Sequence, residues 1–232
     1  MANYPPPPPG GGGWGNAPPP PNPFVNAMTA WLTERKYEFV GQPDIRFYQA
    51  WLPFQYLPSF TRVTREVRAT FDDARVYVVE APDDNSIAHA FDNGTCVLAF
   101  VQSPRFQARV ALRSKRGGGF GSDLERGLDS LFGGKPKTFL GDPALEAQFE
   151  VFAPSPQEGN AALPVPLRQR LVSGFKGIVE TRNQGMIVQS FACRAFDPSS
   201  LDPFMNDVRA MVDSFAAPPA DYRSPPPDKW GP

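Results

Sequence analysis

"RVTREVRATFDDARVYVVEA", residues 62–81, holds two β-rich runs on either side of a pair of aspartates. In the first run Val63, Val67, Ala69 and Phe71 fall on one side of an extended chain, with Arg65 the exception, while Arg62, Thr64, Glu66, Arg68 and Thr70 fall on the other. A period of two marks a half-buried strand. Asp72-Asp73 supplies turn residues and "ARVYVVEA" returns, so the stretch reads as an antiparallel hairpin. Beyond it "PDDNSIAHAFDNG" is a long connection, with Asn93-Gly94 as a turn, and "TCVLAFV" (95–101) is a fully buried strand. "RFQARVALR" (105–113) alternates again, Phe106, Ala108, Val110 and Leu112 inward and Arg105, Arg109 and Arg113 outward. The expectation is a largely antiparallel sheet with one solvated face.

Helices flank this sheet. Asn22-Pro23 is a start signal, a capping side chain followed by proline at the first helical position. Phe24, Ala27, Met28, Trp31 and Leu32 then make one apolar stripe, "TERKYE" continues the helix, and Gly41-Gln42-Pro43 ends it. Residues 44–60, "DIRFYQAWLPFQYLPSF", carry six aromatics in seventeen positions. Pro53 and Pro58 prevent one long helix or a central strand, so short segments wrapping the core are expected. After "KRGGGFG", Ser122-Asp123 opens a helix through Leu124, Leu128 and Leu131. "AQFEVFA" (147–153) is a strand and "PVPLRQRLVSGF" becomes a short helix through Leu167 and Leu171. "GIVETRNQGMIVQSFAC" is a hairpin about residues 183–185. A last helix follows Asp202-Pro203 with Phe204, Val208, Met211, Val212 and Phe215 on one stripe. The fold class is α+β, with amphipathic helices packed on one face of the sheet.

The prolines set the domain boundaries. Of 29, ten lie in residues 1–23 and six in residues 217–232. Both tails therefore read as disordered arms around a body at 24–216, with a sub-boundary near 133–142 as an option. Trp14 in the first tail and Trp230 in the second are the candidate anchors of these arms. The chain opens with neither a charged start nor an apolar segment, and its longest apolar run, "CVLAFV", is far below the ~20 residues of a membrane span. That reads as a cytoplasmic protein without a transmembrane segment. A net charge of −1 argues against nucleic acid as a partner.

Catalytic and cofactor signatures fail on spacing. "DSLFGGKP" has Asp129 where a phosphate loop needs glycine and Pro136 where it needs Ser or Thr. "GGGFGS" (117–122) has Ser122 in place of the third glycine of a dinucleotide fingerprint. One histidine, His89, and two cysteines, Cys96 and Cys193, are too few for a structural zinc site. No cofactor or metal is expected. What remains is basic: from Asn93 to Ser122 there is no acidic residue, while Arg105, Arg109, Arg113, Lys115 and Arg116 are present. Arg62 and Arg68 would join them on neighbouring strands. Such a face suits an acidic protein segment, a phosphate-bearing ligand or anionic lipid headgroups, or it is a solvated surface paired with carboxylates such as Glu66.

A helix, then "FVGQPD", then a sheet, then "GDPALEAQFEVFA" and "LPVPLRQRL" resembles bacterial domains of unknown function over residues 24–215. The resemblance implies an α+β fold in a bacterial cytoplasm and carries no catalytic residues. The reading is a non-catalytic protein-interaction module. The alternatives are a peripheral module that binds an anionic ligand or membrane surface through the arginines, and an enzyme of unknown class.

Overall fold

The computed structural model describes residues 23–57, 60–82, 95–115 and 137–216. Eight strands form one antiparallel sheet: β1 (Glu38–Val40), β2 (Arg65–Phe71), β3 (Ala74–Pro82), β4 (Thr95–Gln102), β5 (Val110–Ser114), β6 (Phe149–Phe152), β7 (Gly177–Arg182) and β8 (Gly185–Ser190). Their order across the sheet is β1-β2-β3-β4-β8-β7-β5-β6. Strands before and after residues 133–142 thus belong to the same sheet. Two tight hairpins set the register, one through Asp72-Asp73 between Phe71 and Ala74, the other through Asn183-Gln184 between Arg182 and Gly185. Asp72 and Gln184 take left-handed backbone there, at φ 50° and 58°. Gly177, at the start of β7, faces a backbone so close that any side chain would run into the Gln189 carbonyl of β8.

The described helices are α1 (Pro23–Arg35), α2 (Ile45–Gln49), α3 (Pro143–Gln148), α4 (Pro156–Ala162), α5 (Val165–Val172) and α6 (Pro198–Asp213). Asp44, Asp142, Ser155 and Asp197 each turn a side-chain oxygen onto a free amide of the helix that follows, which satisfies one of the donors a helix start leaves open. Four helices therefore begin at a polar cap, three of them with proline next. The stripe expected for the last helix is buried as read, although α6 starts at Asp197-Pro198 and carries Pro203 inside it. Residues expected to prolong α1 do otherwise. Lys36 turns left-handed (φ 58°), the Tyr37 amide reaches back to the Leu32 carbonyl at 2.9 Å, and residues 38–40 pair with β2 as an edge strand.

One face of the sheet carries the larger core. Val67, Val78, Ala99, Leu112, Val179 and Val188 pack there against Met28 and Trp31 of α1, Leu145 of α3, Leu167 of α5 and the inner stripe of α6. The indole N–H of Trp31 donates to Asp202 at 2.9 Å, fastening α1 to α6.

The other face is not simply solvated. Val79, Leu98, Phe100, Ala111, Ile178 and Ile187 are covered by Tyr48, Trp51, Phe54, Tyr56, Leu57 and Phe60. The aromatic segment 44–57, with Phe60, is a strap across the middle of the sheet. Phe100 is its hub, with the rings of Tyr48 at 4.9 Å, Trp51 at 5.3 Å, Phe60 at 6.2 Å and Phe54 at 6.3 Å between centroids.

Ion pairs close the periphery, and they carry a pH dependence. Burial alone would raise the carboxyl of Asp73, but hydrogen bonds from Arg105 and Ser103 outweigh it and hold Asp73 below its usual range. Glu80 is raised by burial and lowered further by Arg65 and Thr64; Glu150 is raised by burial and lowered further by Lys137 and Arg113. All three are depressed on balance. The stability they contribute is present above the unfolded carboxylate range, near pH 4, and is lost as pH falls through and below it. Urea midpoints should hold from neutral pH down to about pH 5 and then drop. A midpoint constant to pH 3 would show that these pairs contribute nothing.

Candidate functional site

The basic residues singled out from the sequence do not share a face. Residues 103–109 are a turn and loop, with the Phe106 amide bonded to the Ser103 carbonyl at 3.4 Å, and the strand begins only at Val110. The alternation across 105–113 therefore has no single strand to act on. Phe106, Val110 and Leu112 are buried as expected. Arg105 is only 9% exposed at its side chain, bonded to Asp73 (Nε to Oδ1, 2.8 Å) and reaching the Val212 carbonyl at the end of α6. Arg113 lies on the strap side, paired with Glu150 and 5.2 Å from the Tyr56 ring centroid. Lys115 is exposed and its ammonium donates to the Glu146 carbonyl. Arg109 is exposed. Arg116, Trp14, Trp230 and His89 lie outside the described residues, as do the Gly117–Ser122 run and the helix expected after it. Glu66, expected as a surface carboxylate, is 1% exposed.

Two buried carboxylates rise from the strap side of the sheet, and both hold the strap. Glu66 on β2 takes the Tyr48 hydroxyl and is paired with Arg68. Burial and then the charge of Glu66 push the Tyr48 hydroxyl far above the usual phenol range, so it stays a proton donor. Glu180 on β7, 2% exposed, accepts the backbone N–H of Gln55 (2.9 Å), Tyr56 (2.6 Å) and Leu57 (3.3 Å). Three amides converging on one carboxylate replace the water it lost, which is how a buried charge is kept. The strand pattern puts both glutamates on the face opposite the large core. That they are covered comes from the strap, a contact between distant parts of the chain.

Arg182, two residues after Glu180, completes the strap's anchorage. Its guanidinium donates to the carbonyls of Trp51 and Pro53 and lies 5.8 Å from the Phe54 ring centroid. Glu180 Oε2 is 3.9 Å away, a loose contact because that carboxylate already serves the amides. Burial lowers the Arg182 guanidinium, Glu180 offsets part of that, and the charge of Arg109 lowers it further. Arg109 lies in the loop just before the Val110–Thr181 pair, near enough for its charge to act on Arg182. Two buried donors here have no acceptor, Arg182 Nε and the indole N–H of Trp51. Arg182, with the charge of Arg109 near it, is the cation that fixes the strap. Residue spacing within one segment carried no sign of it, because β5 and β7 meet only in the folded sheet.

Both cysteines are free thiols. Burial, with a smaller contribution from Asp197, pushes the Cys193 thiol up to about 12, so at neutral pH it is a small buried hydrophobe and not a nucleophile. Among the described residues no cluster of His, Cys, Asp and Glu could hold a metal ion, and no helix is long and apolar enough to cross a membrane.

No protein-family model matches the chain, and no curated protein matches it. Among solved structures it is similar to the crystal structure of the mycobacterial trehalose monomycolate transport factor A, TtfA, with a TM-score of 0.54 at 10% sequence identity. The match covers 86% of this chain and 98% of that one, and at such identity the likeness is one of fold.

Proposed function

We propose that the chain is a non-catalytic protein-interaction module of a bacterial cytoplasm, acting by contact, with its proline-rich ends 1–23 and 217–232 as recruitment arms and Trp14 and Trp230 as their anchors. The observation that carries this reading is where the ionisable groups inside the body are used. Glu66 and Glu180 hold the strap, Arg105 holds the end of α6, and the Cys193 thiol is buried and protonated. Groups so engaged are scaffolding, and chemistry would need at least one of them released towards a substrate. Two arms on one body give weak contacts a high effective concentration.

The test is truncation to residues 24–216. The stability of the body should change by less than about 1 kcal/mol, while capture of the partner from a bacterial lysate should fall, with Trp14→Ala reproducing part of the loss. Fluorescence adds a direct readout. Trp31 and Trp51 are buried at 7% and 3% exposure, so quenching by iodide reports Trp14 and Trp230. Protected tail tryptophans together with a large stability loss on truncation would make the tails part of the fold and end the recruitment reading.

A further inference from the structure

We infer that the corner of the sheet where β5 ends and β6 and β7 begin is a docking surface for an anionic lipid bilayer, with Lys115, Lys137 and Lys176 on the headgroups and Phe139 in the apolar layer beneath them. This goes beyond the contact role above and does not depend on it.

Strand pairing builds the corner. Ser114, the last residue of β5, lies opposite Phe149 at the start of β6, and Arg113 lies opposite both Glu150 of β6 and Ile178 of β7. One step further on, the Lys115 amide donates to the Gln148 carbonyl at 2.7 Å. The Lys115 ammonium donates to the Glu146 carbonyl of α3, and the Lys176 ammonium donates to the Gln148 side-chain oxygen at 3.2 Å. Both lysines are exposed, and among the described residues their ammoniums meet neutral oxygens only. The carboxylates of the corner are already used. Glu150 is shared by Arg113 and Lys137, and the Glu146 carboxylate accepts the amides of Leu140 and Gly141 at 2.6 and 2.9 Å. Positive charge is therefore in excess here, in a chain whose net charge is −1.

A second observation says what meets that charge. Two residues after Lys137 stands Phe139, whose 72% exposure is the largest among the exposed hydrophobic side chains of the described residues. The segment that carries both is held along β6, the Thr138 amide bonded to the Val151 carbonyl at 2.8 Å and the Thr138 hydroxyl to the backbone of Ala153. That edge of the sheet is covered, so it offers no ladder to a strand from a partner. What it presents is ammonium groups on long flexible stems, which need no fixed geometry in their counter-charge, and a phenyl ring standing in water. An anionic bilayer takes both, the charge at its headgroups and the ring at its interface. An acidic protein segment would satisfy the lysines and leave Phe139 in water.

The test is sedimentation of the full chain with vesicles of phosphatidylcholine containing phosphatidylglycerol, set against phosphatidylcholine alone. Retention is expected on the anionic vesicles only, and it should fall as added salt shortens the screening length. A lysine close to an anionic surface contributes about fivefold in binding, so Lys115→Gln/Lys176→Gln should weaken retention about thirtyfold. Phe139→Ser should weaken it about tenfold with the charge unchanged. Lys36→Gln/Arg62→Gln removes the same charge from exposed positions beside β1 and β2, at the far side of the sheet, and should bind as wild type. Every substituted side chain is exposed, so urea midpoints should stay at the wild-type value. No retention on anionic vesicles, or equal retention by the wild type and the double lysine variant, overturns the proposal. Binding of poly-glutamate that is lost in the double lysine variant, without retention on vesicles, makes this a surface for an acidic protein segment and overturns the bilayer.

Discussion

Glu180→Ala is expected to lower the unfolding free energy by about 3–5 kcal/mol, the loss that follows when one side of a buried charged network is removed. Three backbone N–H groups of the strap, at Gln55, Tyr56 and Leu57, would lose their shared acceptor in a place water does not reach. Each buried donor left open costs on the order of 1–3 kcal/mol before the strap relaxes. Arg182 would lose its nearest countercharge in the same step. Glu180→Gln should fall between, because its carbonyl oxygen still accepts from Tyr56 while its NH2 group faces a donor. Urea unfolding followed by far-UV circular dichroism measures both. A loss below about 1 kcal/mol for the alanine variant, the scale of a surface change, would mean that the strap is held by its rings alone.

Phe100→Ala is expected to cost about 3–5 kcal/mol as well, through a different cause. Phe100 is fully buried in the middle of β4 and touches four aromatic rings of the strap side. Removing it takes away the transfer free energy of a phenyl ring and leaves a void that neighbouring rings fill only in part. The two variants are separable by solvent: the cost of Phe100→Ala comes from lost apolar burial, so it should show a smaller heat-capacity change of unfolding only to the extent of that lost area, while Glu180→Ala leaves apolar burial in place. Phe100→Leu, which keeps most of the volume, should recover more than half of the loss. If Phe100→Ala unfolds at the wild-type urea midpoint, the strap is not part of the cooperative core.

Much of the fold was legible because it is local. The run 62–81 contains its own turn, so the β2–β3 hairpin could be read without knowing anything else in the chain, and the same holds for β7–β8. The stripe of α6 was legible for the same reason, but its start was not. Two Asp-Pro steps, at 197 and 202, offer equivalent caps, and the one that wins has Asp197 bonded to the Ser200 amide. The helices at 143–148 and 156–162 went unread, although Asp142-Pro143 and Ser155-Pro156 carry the same start signal. Each is too short for a periodic stripe to stand out.

The arginine row failed for a physical reason. Period two reports which side chains share a face only while the backbone stays extended, and Ser103-Pro104-Arg105 turns it first. Pro104, immediately before the run, was the available warning. Glu66 and Glu180 failed differently. Their strands were read correctly, and the face opposite the large core was assigned to solvent, because alternation says nothing about what another segment lays over that face. Six aromatics in 44–60 were the hint that something would be covered; which surface they cover is decided by pairing between strands far apart in the chain.

The strand order has one more consequence, for the newborn chain. Strands β1 to β4 lie within residues 38–102 and β5 to β8 within residues 110–190, and the two sets are zipped together only where β4 meets β8, through pairs such as Leu98 with Gln189. Any compact state reached before residue 185 leaves the ribosome therefore presents β4 as an open edge. That edge is "TCVLAFV", an apolar run without a charged residue. At synthesis rates of roughly 5–20 residues per second it waits several seconds for its partner. An unpaired, uncharged apolar edge is a template for pairing with a second chain, so until β8 emerges the growing chain carries its own site for association with a neighbour.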